Sequence, residues 1–313
     1  MEREQNIKKK LNRKSLSLLP FLIPAVILAL VFNYAPMIGL LMGFKEKLNL
    51  FVYSPLEAFF KADWTLAHYE TLFSNEFFLK ALGNTLLISG LKIVILFPLP
   101  ILMAILITEI PMGKVSKVYQ TIMYLPHFLS WAVVTGIFMK VFSSYGIVNE
   151  FLITLGIMDK SSPILWYQEP DKFLFLVLFT EGWKEIGWST IVYISAILAI
   201  DQDMLEACKI DGANEFRKIV SLILPSIATT IATMFILRIA YMLDAGFAQI
   251  YTMHTVTTSN VWEILGTYIF RLGIKEGDYA FSAAVSFFNS VTGLGLVLIG
   301  NYFSKKFFGK GIY

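Results

Sequence analysis

Four ionisable side chains stand where the surrounding sequence is apolar. Glu181, Lys184 and Glu185 fall within residues 173–200, and Arg238 falls within residues 227–253. A charge at membrane depth costs about 3 kcal/mol on insertion scales, so such groups face a bundle interior or an aqueous cavity. Glu181, Lys184 and Glu185 sit at i, i+3 and i+4, which puts them on one helical face and lets Glu181 and Lys184 partly neutralise each other. Counting about 1.5 Å per residue from each end brings Arg238 to a similar depth, so a Glu185–Arg238 pair is expected. Together with Trp183, Tyr241, Asp244 and Gln249, these groups could line a mid-membrane site for a polar solute, where polar side chains would meet hydroxyls and an aromatic face would cover an apolar ring face. The competing reading is that Glu181, Lys184, Glu185 and Arg238 only knit helices together or meet a partner subunit. Asp244 lies about 120° around the helix from Arg238, so the two serve different contacts.

The elements that must position these residues follow from composition. The chain has 313 residues, 56% of them hydrophobic and 16% charged, with a mean hydropathy of +0.65. Soluble domains average about 45–50% apolar and about 25% charged residues, so the excess here must be buried against lipid. A single cysteine, Cys208, excludes a disulfide scaffold, and aromatics at 15% exclude disorder. Six apolar runs approach the roughly 20 residues that cross a bilayer, at residues 15–44, 81–108, 119–139, 173–200, 227–253 and 281–303. The first begins after a basic tail but is too long for a signal peptide, and reads as a retained helix.

Lys and Arg concentrate on one side of these runs. They stand in the tail (Arg3, Lys8, Lys9, Lys10, Arg13, Lys14), after the second run (Lys114, Lys117), after the fourth (Lys209, Arg217, Lys218) and at the end (Lys305, Lys306, Lys310). That pattern puts both termini in the cytoplasm. The expected organisation is therefore a basic tail over residues 1–14, a six-span domain over residues 15–303 that contains a cytoplasmic loop over residues 201–226, and a C-terminal tail over residues 304–313.

Lys92 marks a re-entrant or kinked span, because Pro98 and Pro100 interrupt its hydrogen-bond ladder. Trp166, Tyr167 and Trp262 fit an aromatic belt. Residues 45–80, with Trp64, Tyr69 and Phe73, read either as amphipathic surface structure or as a plain connection. His127 lacks a second ligand at metal-binding spacing, and basic residues form no continuous face for nucleic acid.

The cytoplasmic segment 201–225 reads as two short helices. Asp201 caps the first, Gly212 turns the chain with positive φ, and Pro225 ends the second. Leu205, Ile210, Phe216, Ile219 and Val220 give the pair an apolar surface for a partner. Within it, Glu206-Ala207-Cys208, then Gly212, then Leu222-Ile223-Leu224-Pro225 resemble the EAA loop of binding-protein-dependent ABC importer permeases. Cys208 and Leu222 stand where that pattern has alanine and isoleucine. Asn84-Thr85-Leu86, Tyr124 to Phe128, Gly187-Trp188-Ser189-Thr190 and Asp211 to Asn214 extend the likeness to carbohydrate-uptake permeases of the maltose-transporter type, in particular the branch called LplB-type.

The resemblance implies an all-α, type I ABC importer permease of the bacterial plasma membrane. It implies a coupling role for Glu206, Ala207, Asp211, Gly212, Ala213, Phe216, Leu224 and Pro225 at a cytoplasmic ABC ATPase dimer, which would carry ATP and Mg²⁺. The further partners implied are a second, paralogous permease subunit, an extracytoplasmic sugar-binding protein and an oligosaccharide cargo. The chain has no G-x-x-x-x-G-K-[ST] segment, so it is expected to bind no cofactor and to catalyse no reaction itself. A non-sugar cargo, or a secondary transporter acting alone, are the alternatives.

Overall fold

The computed structural model describes residues 20–46, 48, 52–109 and 113–308. The predicted tail 1–14, the start of the first apolar run and residues 309–313 lie outside them. Every named element is helical, and among the described residues extended pairing is limited to an isolated bridge between Lys45 and Trp64. The helices are α1 (Pro20–Phe44), α2 (Pro55–Lys61), α3 (Ala67–Leu72), α4 (Glu76–Glu109), α5 (Lys114–Tyr124), α6 (Trp131–Val141), α7 (Ile147–Thr154) and α8 (Pro170–Leu198). They continue as α9 (Gln202–Ile210), α10 (Glu215–Ser226), α11 (Ala228–Ala240), α12 (Phe247–Met253), α13 (Val256–Trp262), α14 (Leu265–Phe270) and α15 (Tyr279–Phe308).

Three described helices, α1, α4 and α15, are long and apolar enough to cross a membrane. Two further spans arise only if bent pairs are each taken as one: Lys117–Phe128 with α6, bent by 103°, and α10 with α11, bent by 65°. Proline supplies the first bend. Pro126 has no N–H to donate, the chain leaves the helix in an extended conformation at Leu129, and the Ser130 side chain caps α6 by accepting from the Val133 N–H. In α4 the expected break is instead a π-turn, Lys92–Leu96, just before Pro98. The wider turn absorbs the missing donor and the helix continues.

Pro225 likewise follows a π-turn, Ile219–Ile223, and α10 ends one residue beyond it. The run predicted to reach residue 253 does not stay helical. It stops at Ala240 and turns through residues with left-handed backbone, Ala245 at φ 48° and Gly246 at φ 84°, before α12 begins.

The chain divides into two compact units, residues 1–72 with 271–287 and residues 73–270 with 288–313. In the first, Phe44 packs on Tyr69 and Phe287 at 4.9 and 5.1 Å between ring centroids. Lys45 is buried, with its ammonium 4.0 Å from the Trp64 ring and donating to the Ala62 carbonyl at 2.8 Å. The segment after α1 thus folds into the short helices α2 and α3, with an exposed Trp64 between them.

Two apolar clusters of described residues lie in the second unit. Ile88, Val134, Phe138, Phe173, Leu176, Val177, Ile250 and Met253 join α4, α6, α8 and α12 toward the start of α8. Ala104, Ile105, Ile107, Tyr193, Ile194, Ile197 and Ile223 join α4, α8 and α10 toward its end. The three aromatics Trp166, Tyr167 and Trp262 belong to this packing. Tyr167 is buried, Trp166 donates to Asn149 Oδ1 at 2.9 Å, and Trp262 donates to the Pro170 carbonyl at 2.6 Å. The indole N–H groups of Trp166 and Trp262 thus find protein partners, so an interfacial position is not needed to satisfy them.

Candidate substrate cavity and coupling loop

Between the two clusters, the middle of α8 carries its charges into contact with three other elements. Glu181 is 6% exposed and pairs with both Lys92 of α4, 2% exposed, and Arg238 of α11. Lys92 also donates to the Ala245 carbonyl at 2.9 Å and to Gln249 Oε1 at 2.8 Å. Gln249 in turn donates to the Val177 carbonyl and to Thr180 Oγ1. Buried charges are tolerated when paired and hydrogen-bonded on every side, and this arrangement meets that condition.

Gly246 makes it possible, since a Cβ there would lie 2.8 Å from Lys92 Nζ and its φ suits glycine. The serine hydroxyl of Ser89, one helical turn before Lys92, donates to the Met242 carbonyl, so α4 holds the turn after α11 at two points.

A second set adjoins the first. Lys184 donates to Glu185 Oε1 at 2.8 Å and to the His127 carbonyl at 2.7 Å, and the His127 Nδ1 lies 2.7 Å from Glu185 Oε2. The His127 ring stacks on Trp188 at 4.5 Å, nearly parallel. Here α8 and α5 approach backbone to backbone because position 187 is glycine; a Cβ would sit 1.9 Å from the Met123 carbonyl oxygen.

The expected pairings are therefore exchanged. Arg238 meets Glu181 rather than Glu185, and Lys184 neutralises Glu185 rather than Glu181. Neighbours three apart on one helix were overridden by partners from α4, α11 and the Pro126 bend.

These groups border a cavity of about 370 Å³. Of the predicted substrate residues, Glu181, Glu185, Arg238, Tyr241 and Asp244 line it. Lys184 turns to His127, Gln249 lies fully buried behind Lys92, and Trp183 packs edge-on against Phe138 at 5.1 Å. Lys92, Trp131, Ser189 and Tyr193 also line the wall. Arg238 is the accessible cation there, with 37% of its side chain exposed. The cavity can offer a guanidinium, carboxylates, hydroxyls and aromatic faces to a polar solute.

The loop after α8 has the expected form. Asp201 accepts from the Asp203 N–H, Gly212 takes φ 70° with the Ala213 N–H closing on the Cys208 carbonyl, and Asn214 caps α10. Ile210 and Phe216 are 86% and 75% exposed, and Met204, Val220 and Glu206 are exposed with them. Leu205, Ile219 and Leu224 instead face inward against the cluster at the end of α8, so the outward apolar surface is smaller than expected.

Residues 97–308 match the family described as binding-protein-dependent transport system inner membrane component. The chain belongs to this family. The permease is 35% identical to Protein LplB of Bacillus subtilis (strain 168), across 93% of its own length and 89% of that protein. It is 34% identical to the polygalacturonan/rhamnogalacturonan transport system permease protein YteP of the same strain, across 100% and 94%. Among solved structures, it superimposes on a chain from the crystal structure of a bacterial alginate ABC transporter in complex with alginate pentasaccharide-bound periplasmic protein. That match has a TM-score of 0.86, 35% identity, and coverage of 97% of the permease and 99% of that chain. The permease is a membrane protein with the type I ABC importer permease fold. Lys92 and His127 were visible in its sequence only as an isolated charge and an isolated imidazole, with no local partner to show that they complete the polar core.

Proposed function

We propose that this chain is one transmembrane subunit of an ATP-driven importer that moves oligosaccharides, received from an extracytoplasmic binding protein, across the bacterial plasma membrane by alternating access. The observation that carries the reading is likeness along nearly the whole chain to a transporter solved with a saccharide-loaded periplasmic protein. The cavity bordered by Glu181, Glu185 and Arg238 is the candidate passage, and Arg238 suits sugar chains bearing acid groups.

Six spans, formed by α1, α4, α5 with α6, α8, α10 with α11, and α15, with both termini cytoplasmic, agree with the distribution of Lys and Arg. The exposed face of α9 and α10, with Glu206, Ile210, Gly212 and Phe216, would dock on a cytoplasmic ATPase dimer that holds ATP and Mg²⁺. A second permease would complete the passage.

The test is purification of the tagged chain from its native membranes, followed by uptake in vesicles. Recovery of an ATPase and a second permease, with uptake of an oligogalacturonide that requires ATP and the binding protein, supports the reading. A chain that purifies alone and transports without ATP overturns it.

A further inference from the structure

The outward residues of the loop between α8 and α11 explain how a partner could hold it, but not how its movement would reach the helices around the cavity. Lys218, on the inward side of α10, supplies that link. Its side chain is 7% exposed although it lies in a segment whose neighbours Glu215 and Arg217 are exposed. Its ammonium sits 2.8 Å from the carboxylate of Glu109, the last residue of α4, and also pairs with Glu215 one turn earlier in α10.

Around this contact the packing is apolar and continuous. Ile219 and Leu224 of α10 rest on the cluster that contains Ile105 and Ile107 of α4 and Ile194 and Ile197 of α8. Apolar contacts allow sliding with little directional penalty, whereas a charge-assisted pair anchored on the buried Lys218 side chain fixes register. Glu109 ends the helix that carries Lys92 in the cavity wall, so a pull on α10 passes through Glu109 along α4 to the buried polar core.

We propose that Lys218 is a positioning residue for transport, a latch that ties α10 to the inner end of α4 so that the loop and the cavity-lining helix move as one body. The proposal rests on the reading of this loop as the ATPase contact, and the experiment separates the two.

In the complete transporter, on a Cys208→Ser background, spin labels are placed at Met204→Cys in α9 and Leu106→Cys near the end of α4, both exposed positions. Their separation is measured in the resting state and trapped with ATP and vanadate. The wild-type pair is expected to keep one narrow distance in both states. Lys218→Met and Glu109→Gln should broaden or shift it on trapping and lower binding-protein-stimulated ATP hydrolysis by about tenfold, while Lys218→Arg keeps the wild-type behaviour. A Lys218→Met distance as narrow and constant as wild type overturns the latch. So does failure of both Lys218→Met and Glu109→Gln to assemble, because the pair is then a requirement of folding. Retention of the ATPase by a Phe216→Asp chain overturns the loop reading instead, and the resting and trapped Lys218→Met distances still decide the latch.

Discussion

Lys92 of α4 and Glu181 of α8 form a buried ion pair in which the carboxylate is shared with Arg238, while the ammonium keeps two neutral acceptors, Gln249 Oε1 and the Ala245 carbonyl. The carboxylate is thus the hub: two cations converge on it, and the more accessible one faces the cavity. Removing the hub and removing a spoke are different perturbations.

Glu181→Ala should be the more damaging change. It leaves Lys92 buried without a counter-charge, for which breaking a buried pair costs about 3–5 kcal/mol. Lys92→Met leaves Glu181 paired with Arg238 and should cost less. Melting midpoints of the purified chain in detergent would order wild type above Lys92→Met above Glu181→Ala. Equal midpoints for the two variants would contradict the shared-carboxylate arrangement.

The loop after α8 was legible because its signals are local: a cap at Asp201, a left-handed glycine at 212 and a proline at 225 act over a few residues. The charges of α8 and α11 were legible as anomalies, and Arg238 does come level with the charged stretch of α8. Their partners were not, since Glu181 draws on α4 and α11, whose register against α8 is set by tertiary packing. Spacing of three favoured a Glu181–Lys184 pair that the Pro126 bend forestalls by presenting the His127 carbonyl to Lys184. Run length also hid the breaks at Pro126 and Ala245, because hydropathy averages across a turn as readily as across a helix.

Two glycines separate steric from conformational demands. At Gly187 an alanine Cβ would stand 1.9 Å from the Met123 carbonyl oxygen, so Gly187→Ala must push α5 off α8. At Gly212 the Cβ would meet nothing within 4 Å and only the φ of 70° opposes it, a penalty of about 1 kcal/mol. Membrane yield and melting should fall sharply for Gly187→Ala and little for Gly212→Ala. The reverse order would show that the α5–α8 contact is not close.

Phe216 tests the loop as a binding face. It is 75% exposed and touches neither apolar cluster, so Phe216→Asp should leave the chain's melting within experimental error. Burial of an aromatic anchor at an interface is commonly worth 2 kcal/mol or more, a loss of about thirtyfold in affinity. Pull-down of the ATPase by the variant should therefore fail at concentrations where wild type retains it. Unchanged retention would assign that surface to another role.

Arg238 carries the question of cargo. Its guanidinium can accept an acid group from the cavity while Lys92 continues to neutralise Glu181, so binding an anion does not strand the buried carboxylate. A hydrogen bond to a charged group contributes about 1.5–3 kcal/mol, which corresponds to roughly a tenfold or greater change in binding. In vesicles supplied with the loaded binding protein, Arg238→Gln should reduce oligogalacturonide uptake by about tenfold or more and leave uptake of a neutral oligosaccharide of equal length within about twofold. Equal losses for both sugars would give Arg238 a structural task, with Glu181 as its only client. No loss for either would place the passage of the sugar elsewhere.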